Sequence, residues 1–145
     1  MDTSTSARLT SWKYALNAWI KHPILGYGVT GHRFVDAQYL RVLVETGIIG
    51  IIAFFYLLYS IFKLAIDNVR TLNTPYFKGL NIGFLAGYIG LLVHALGANT
   101  FIIVRIMEPF WFFVGIMAVL PMLERQRAAS ETVEEVSSTK LVPAS

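Results

Sequence analysis

From Gly79 to Val104 the chain carries no acidic residue, no lysine and no arginine. An α-helix needs roughly 17–25 predominantly apolar residues to cross a bilayer, and this run is long enough outright. Two further stretches are nearly as apolar. Thr46 to Phe62 is uncharged and is extended by Leu64–Ile66 beyond Lys63. Lys63 can lay its stem along the helix and reach the headgroups with its ammonium. Pro109 to Leu123 is also uncharged, with Arg105 and Glu108 just before it, and reaches spanning length when taken as Ile106–Leu123.

Core helices of a soluble domain would be amphipathic. These runs are apolar all round: Phe54, Phe55, Tyr56, Leu57, Leu58 and Tyr59 leave no polar face, nor do Phe110, Trp111, Phe112 and Phe113. Charged residues make up 14% of the 145 residues, against about 25% in ordinary soluble domains. The aromatic share of 14% argues against a disordered chain. With no cysteine there is no disulfide framework, thiolate metal site or cysteine nucleophile. The net charge is +3 and the basic residues are scattered, so nucleic acid is not an expected partner.

The expected fold is therefore all-α and polytopic. Three transmembrane helices, at about 46–66, 79–104 and 106–123, follow an amphipathic helix–loop–helix segment over 1–45. Lys63, Arg70, Lys78, Arg125 and Arg127 flank one side of the three spans, and Arg33, Arg41 and Arg105 flank the other. The positive-inside rule places the 67–78 loop and the C-terminus in the cytoplasm, and residues 1–45 outside it. Within 1–45, Leu9, Trp12, Leu16, Trp19 and Ile20 share a face at helical spacing. They predict a helix from about Ala7 to Lys21, capped by Ser6 and ended by Pro23. Its tryptophans suit the membrane interface. A second helix is expected from near Asp36 into the first span, bent at Gly47 and Gly50. The tail over 124–145 has four Glu, four Ser and no aromatic residue, a composition that predicts disorder.

Several residue groups carry chemistry or mimic it. Gly26-Tyr27-Gly28-Val29-Thr30-Gly31 spells G-x-G-x-x-G. A dinucleotide site needs a strand before that motif and a helix after it. Here a proline and a short apolar pair precede it, so a turn between helices is favoured. A phosphate nest of backbone N–H groups stays open, with His32 and Arg33 directly after it. Asp36 reads either as an N-cap or as a carboxylate at the membrane surface beside Arg33. His94 falls in the middle of the second apolar run, where ionisable groups are costly; it is either a neutral ring bonded to a neighbouring helix or part of a proton path. Arg105 and Glu108, three apart, can pair. Gly83 and Gly87 stand in small-xxx-small spacing, which lets a neighbouring helix approach closely. No spacing for a metal site is present.

One series of motifs resembles a known family. It comprises Arg8, Leu9, Trp12 and Ala15, then His22-Pro23-Ile24-Leu25-Gly26-Tyr27-Gly28, then Asp36, Tyr39, Leu40, Leu43, Glu45, Gly47 and Gly50. Leu91-Leu92-Val93-His94-Ala95-Leu96, Asn99, Phe101, Trp111 and Gly115 follow. In order and spacing these are similar to the O-antigen ligase and polymerase family of bacterial membrane glycosyltransferases. The resemblance implies transfer of a glycan from a polyprenyl-diphosphate carrier to a hydroxyl of a glycan or lipid acceptor, on the outer face of the bacterial inner membrane. It implies membrane lipid as surroundings and no metal or other cofactor. It places a diphosphate-binding arginine at Arg8. The family's ligases carry a histidine where this chain has Asp36; polymerase-like relatives often have aspartate there, which favours a polymerase. Asp36 is then the expected base, and Arg8, His32, Arg33 and Arg41 the expected substrate-binding residues. Family members have many more than three spans, so the chain corresponds to their C-terminal part and is expected to need further helices. The alternative is a small non-enzymatic three-span subunit of a larger complex.

Overall fold

The computed structural model describes residues 3–29, 31 and 35–140, with side chains described for 9–29, 31 and 35–132. Among the described residues the regular structure is entirely helical: α1 (Thr3–Trp19), α2 (Gln38–Thr71), α3 (Pro75–His94), a 3-10 turn (Thr100–Ile102) and α4 (Val104–Lys140). Three of these helices, α2, α3 and α4, are long and apolar enough to cross a membrane.

Gly47 breaks α2. Its backbone, at φ 66° and ψ −164°, leaves the helical region, a conformation that glycine alone adopts without strain. Tyr39 and Phe55 would lie about 24 Å apart along a straight helix. Their rings instead stack with centroids 5.5 Å apart. The arm 38–46 is therefore folded back over the arm 48–71. At about 1.5 Å per residue the longer arm measures about 36 Å, enough to cross a bilayer core of about 30 Å with some tilt.

The break exposes backbone groups that a continuous helix would satisfy, and the glycine loop satisfies them. Tyr27 N–H donates to Val44 O (2.9 Å), Gly28 N–H to Glu45 O (2.8 Å), and Ile48 N–H to Pro23 O (2.9 Å). Contact is so close that a Cβ on Gly26 would lie 2.6 Å from Glu45 C, and one on Gly47 2.2 Å from Ile24 O. The Trp19 indole N–H also donates to Pro23 O, at 3.1 Å. Beside this junction Ala15, Val35 and Val44 are buried together under Trp19, Tyr27 and Leu40. The expected face of α1 is used only in part: Trp19 packs inward beside the buried Ala15, whereas Leu9, Leu16 and Ile20 stay exposed.

The three long helices meet in an aromatic core of Leu58, Ile61, Tyr88 and Phe110, flanked by Phe54, Phe84 and Phe101. In lipid, apolar burial gives little net attraction between helices, so close packing and side-chain hydrogen bonds carry the association. Tyr88 O–H donates to Leu58 O (2.8 Å) and Asn81 Nδ2 to Ala65 O (2.8 Å). Asn68 Nδ2 donates to Met117 O at 2.7 Å. That carbonyl is free because its helical partner four residues on is Pro121, which has no N–H. At the same end Glu124 Oε1 accepts from Asn73 N (2.6 Å) and Thr74 N (3.1 Å), and so fixes α4 to the start of α3.

Three expectations change. The second span ends at His94, with a turn and the 3-10 turn before α4, instead of running to Val104. Asp36 is not the cap of α2: Ala37 holds that position without a side-chain bond. α4 runs without interruption into the segment expected to be disordered, as far as Lys140. An Arg127–Glu131 pair at 2.8 Å, four residues apart, supports that extension, although such exposed pairs contribute only a few tenths of a kcal/mol.

Candidate functional site

The N-terminus of α2, the C-terminus of α3 and the 3-10 turn converge at one end of the bundle, and hydrogen bonds join them. Gln38 N–H, the first of α2, donates to Ala95 O (3.3 Å). Asn99 Nδ2 donates to Val35 O (2.9 Å). Phe101 N–H donates to Gln38 Oε1 (3.1 Å), and Tyr39 O–H to Leu92 O (2.9 Å). The participating residues are buried: Val35, Ala37, Gln38, Ala95, Asn99 and Thr100 are each at most 9% exposed. Such a network suits a water-poor setting, where an unpaired amide is costly. Asn99 Oδ1 is the exception at this end: it is buried and lacks a partner.

Out of this buried clasp two ionisable side chains emerge, Asp36 and His94, both exposed. Asp36 lies between buried Val35 and Ala37, so its backbone is held on both sides while its carboxylate faces outward. His94 is the last residue of α3, and its Nδ1 lies 2.7 Å from the buried Thr100 Oγ1. It is therefore at a helix end and not in the middle of a span. The uncharged run that suggested otherwise includes the turn and the 3-10 turn as well as α3.

Of the other expected site residues, Arg41 is half-buried and pairs with Glu45 at 2.9 Å on the folded-back arm. Arg8 lies on α1, with its side chain outside the described residues. His32 and Arg33 lie outside the described residues altogether. The phosphate nest does not form at the first two glycines. Gly26 N–H donates to His22 O at 3.0 Å, and the N–H groups of Tyr27 and Gly28 are bound to α2. The loop's glycines serve the helix junction. Arg105 and Glu108 do not pair; the ion pairs among the described residues are Arg41–Glu45 and Arg127–Glu131.

Gln38 and Thr100 were not foreseen from the sequence, and Asn99 entered there only in the motif series, with no role. Their one visible signal is polar residues at the edges of long apolar runs, which in lipid must find partners. The small-residue face of α3 is open. Gly79, Gly83 and Gly87 line an apolar groove of about 600 Å³ with Phe110 and Phe113 of α4, and a Cβ on any of the three would meet nothing within 4 Å.

Comparison with known proteins bears out the resemblance. The family model described as O-antigen ligase matches residues 1–55, a segment containing α1, the glycine loop, Asp36 and the Gly47 break. No curated protein and no solved structure matches the chain. With its three span-length helices, the chain is a multi-pass membrane protein.

Proposed function

We propose that this chain, whose first 55 residues match the O-antigen ligase family, forms the acceptor-side and closing part of a membrane glycosyltransferase. It uses polyprenyl-diphosphate-linked glycans and extends or attaches a surface polysaccharide such as O-antigen on lipopolysaccharide. The observation that carries this reading is Asp36. It lies inside the matched segment, exposed on a buried clasp at the end of three span-length helices. A headgroup there is reached while an isoprenoid tail stays in lipid.

The residues take these roles. The Asp36 carboxylate receives the acceptor hydroxyl and accepts its proton as the oxygen attacks the anomeric carbon. Arg8, with His32 and Arg33, neutralises the leaving diphosphate where negative charge accumulates. Arg41, held by Glu45, contributes a further cation to that region. Residues 1–45 lie on the extracytoplasmic side of a bacterial inner membrane and the α4 end lies in the cytoplasm. α1 rests at the interface with Leu9, Leu16 and Ile20 toward lipid, and further helices complete the cavity.

Asp36→Asn keeps the shape of the side chain and removes its basicity. Introduced in the full-length context, it is expected to slow chain extension of cell-surface polysaccharide by about 10²-fold or more while the protein remains in the membrane. Normal polysaccharide length with Asp36→Asn would remove the reading. A second reading, a non-enzymatic subunit, draws on the open glycine groove of α3. It expects Gly83→Ile to disrupt assembly with a neighbouring helix and Asp36→Asn to be silent.

A further inference from the structure

We propose that His94 is the second ionisable group of this site and acts with Asp36 as one proton-handling pair. The inference rests on the glycan-transfer reading above and adds a residue to it from outside the segment that matches the family.

The geometry that joins them is the clasp. Gln38 N–H to Ala95 O and Asn99 Nδ2 to Val35 O bind residues on either side of Asp36 to Ala95 and Asn99, one and five residues after His94. Val35, Ala37, Gln38, Ala95, Asn99 and Thr100 are buried, while the two ionisable side chains among them point outward. A bundle end that served only to pack would need neither. His94 is also oriented. Thr100 Oγ1, fully buried, is 2.7 Å from Nδ1. With the Nδ1–H donating to that oxygen, Nε2 is left as the outward-facing acceptor. The ring, once protonated, sits at the C-terminal end of α3, where the helix favours positive charge.

The acceptor oxygen bonds to the anomeric carbon while the bond from that carbon to the diphosphate oxygen breaks. The bonding pair leaves with the diphosphate. The hydroxyl proton passes to the Asp36 carboxylate and then, directly or through one water, to Nε2 of His94, from which it is lost to solvent. Nothing is oxidised or reduced. His94 returns Asp36 to its anionic form for the next transfer, and Thr100 is the positioning residue that fixes the ring.

The test compares variants of the full-length protein in membrane vesicles, with a polyprenyl-diphosphate-linked oligosaccharide as donor. His94→Gln is expected to lower kcat by about 10²-fold with KM for the donor unchanged. The Asp36→Asn/His94→Gln double variant is expected to be no slower than Asp36→Asn alone, since members of one unit do not add. Thr100→Val is expected to lower kcat and Thr100→Ser to restore it. His94→Gln within about threefold of the unmodified protein, or a double variant slowed by the product of the two single effects, would overturn the pairing while leaving Asp36 in place. Wild-type rates for Asp36→Asn as well would instead remove the underlying reading. Should His94→Gln fail to accumulate, the Thr100 variants decide: Thr100→Val as fast as Thr100→Ser would overturn the proposal.

Discussion

Asn68 shows how one side chain compensates for a missing donor. Pro121 leaves Met117 O without its helical partner, and Asn68 Nδ2 supplies the bond at 2.7 Å. Asn68→Ala is expected to lower stability by about 1–2 kcal/mol, the upper range for an interhelical hydrogen bond in a membrane. Thermal unfolding of the detergent-solubilised protein measures it. Pro121→Ala restores an N–H at that position and is expected to recover part of the loss in the Asn68→Ala background. An Asn68→Ala effect unchanged by Pro121→Ala would show that the carbonyl is not the source. Neither partner could be paired from the sequence, because the bond joins residues 49 apart. Asp36 was legible as a residue of interest. Its displacement from the cap position, and the buried amides that hold it, depend on tertiary contacts that no local pattern records.

At the scale of elements, apolarity located the three long helices but not their ends. An uncharged run has no internal punctuation, so the run from Gly79 to Val104 concealed the end of α3 at His94 and the 3-10 turn after it. Gly97, Asn99 and Thr100 were the local signal. Glycine did better at the other break. Of the two glycines expected to bend the helix, Gly47 makes a fold-back with φ 66°, whereas Gly50 stays helical. Two glycine substitutions should therefore behave oppositely. Gly47→Ala places a methyl group against Ile24 O in a positive-φ conformation and is expected to destabilise by at least 1 kcal/mol, freeing the glycine loop for proteolysis. Gly83→Ala meets open space and is expected to gain up to about 1 kcal/mol from helix propensity. Limited proteolysis and thermal unfolding of the two variants separate them. Equal sensitivity would mean that the loop-to-helix junction does not stabilise the fold.

For the whole molecule, the proposed function expects α2, α3 and α4 each to cross the membrane, with the Asp36–His94 end and the Asn73–Glu124 end on opposite faces. The residue pairs that join the helices agree with this: Gln38 with Ala95 and Phe101 at one end, Asn73 and Thr74 with Glu124 at the other. The chain has no native cysteine, so single cysteines report topology without background. Cysteine at Asp36 is expected to react with an impermeant maleimide from outside intact cells. Cysteine at Asn73 should react only after permeabilisation. Labelling of both from one side would contradict three crossings.

The proposed role of Asp36 is to drive glycan transfer from a lipid carrier at this end of the bundle. Its most direct measurement is the release of free polyprenyl diphosphate together with growth of the glycan, in vesicles containing the full-length protein. One carrier diphosphate is expected to be freed for each glycan transferred, and both rates to be lowered by about 10²-fold or more in Asp36→Asn. Carrier release and glycan growth that proceed unchanged in Asp36→Asn would contradict it.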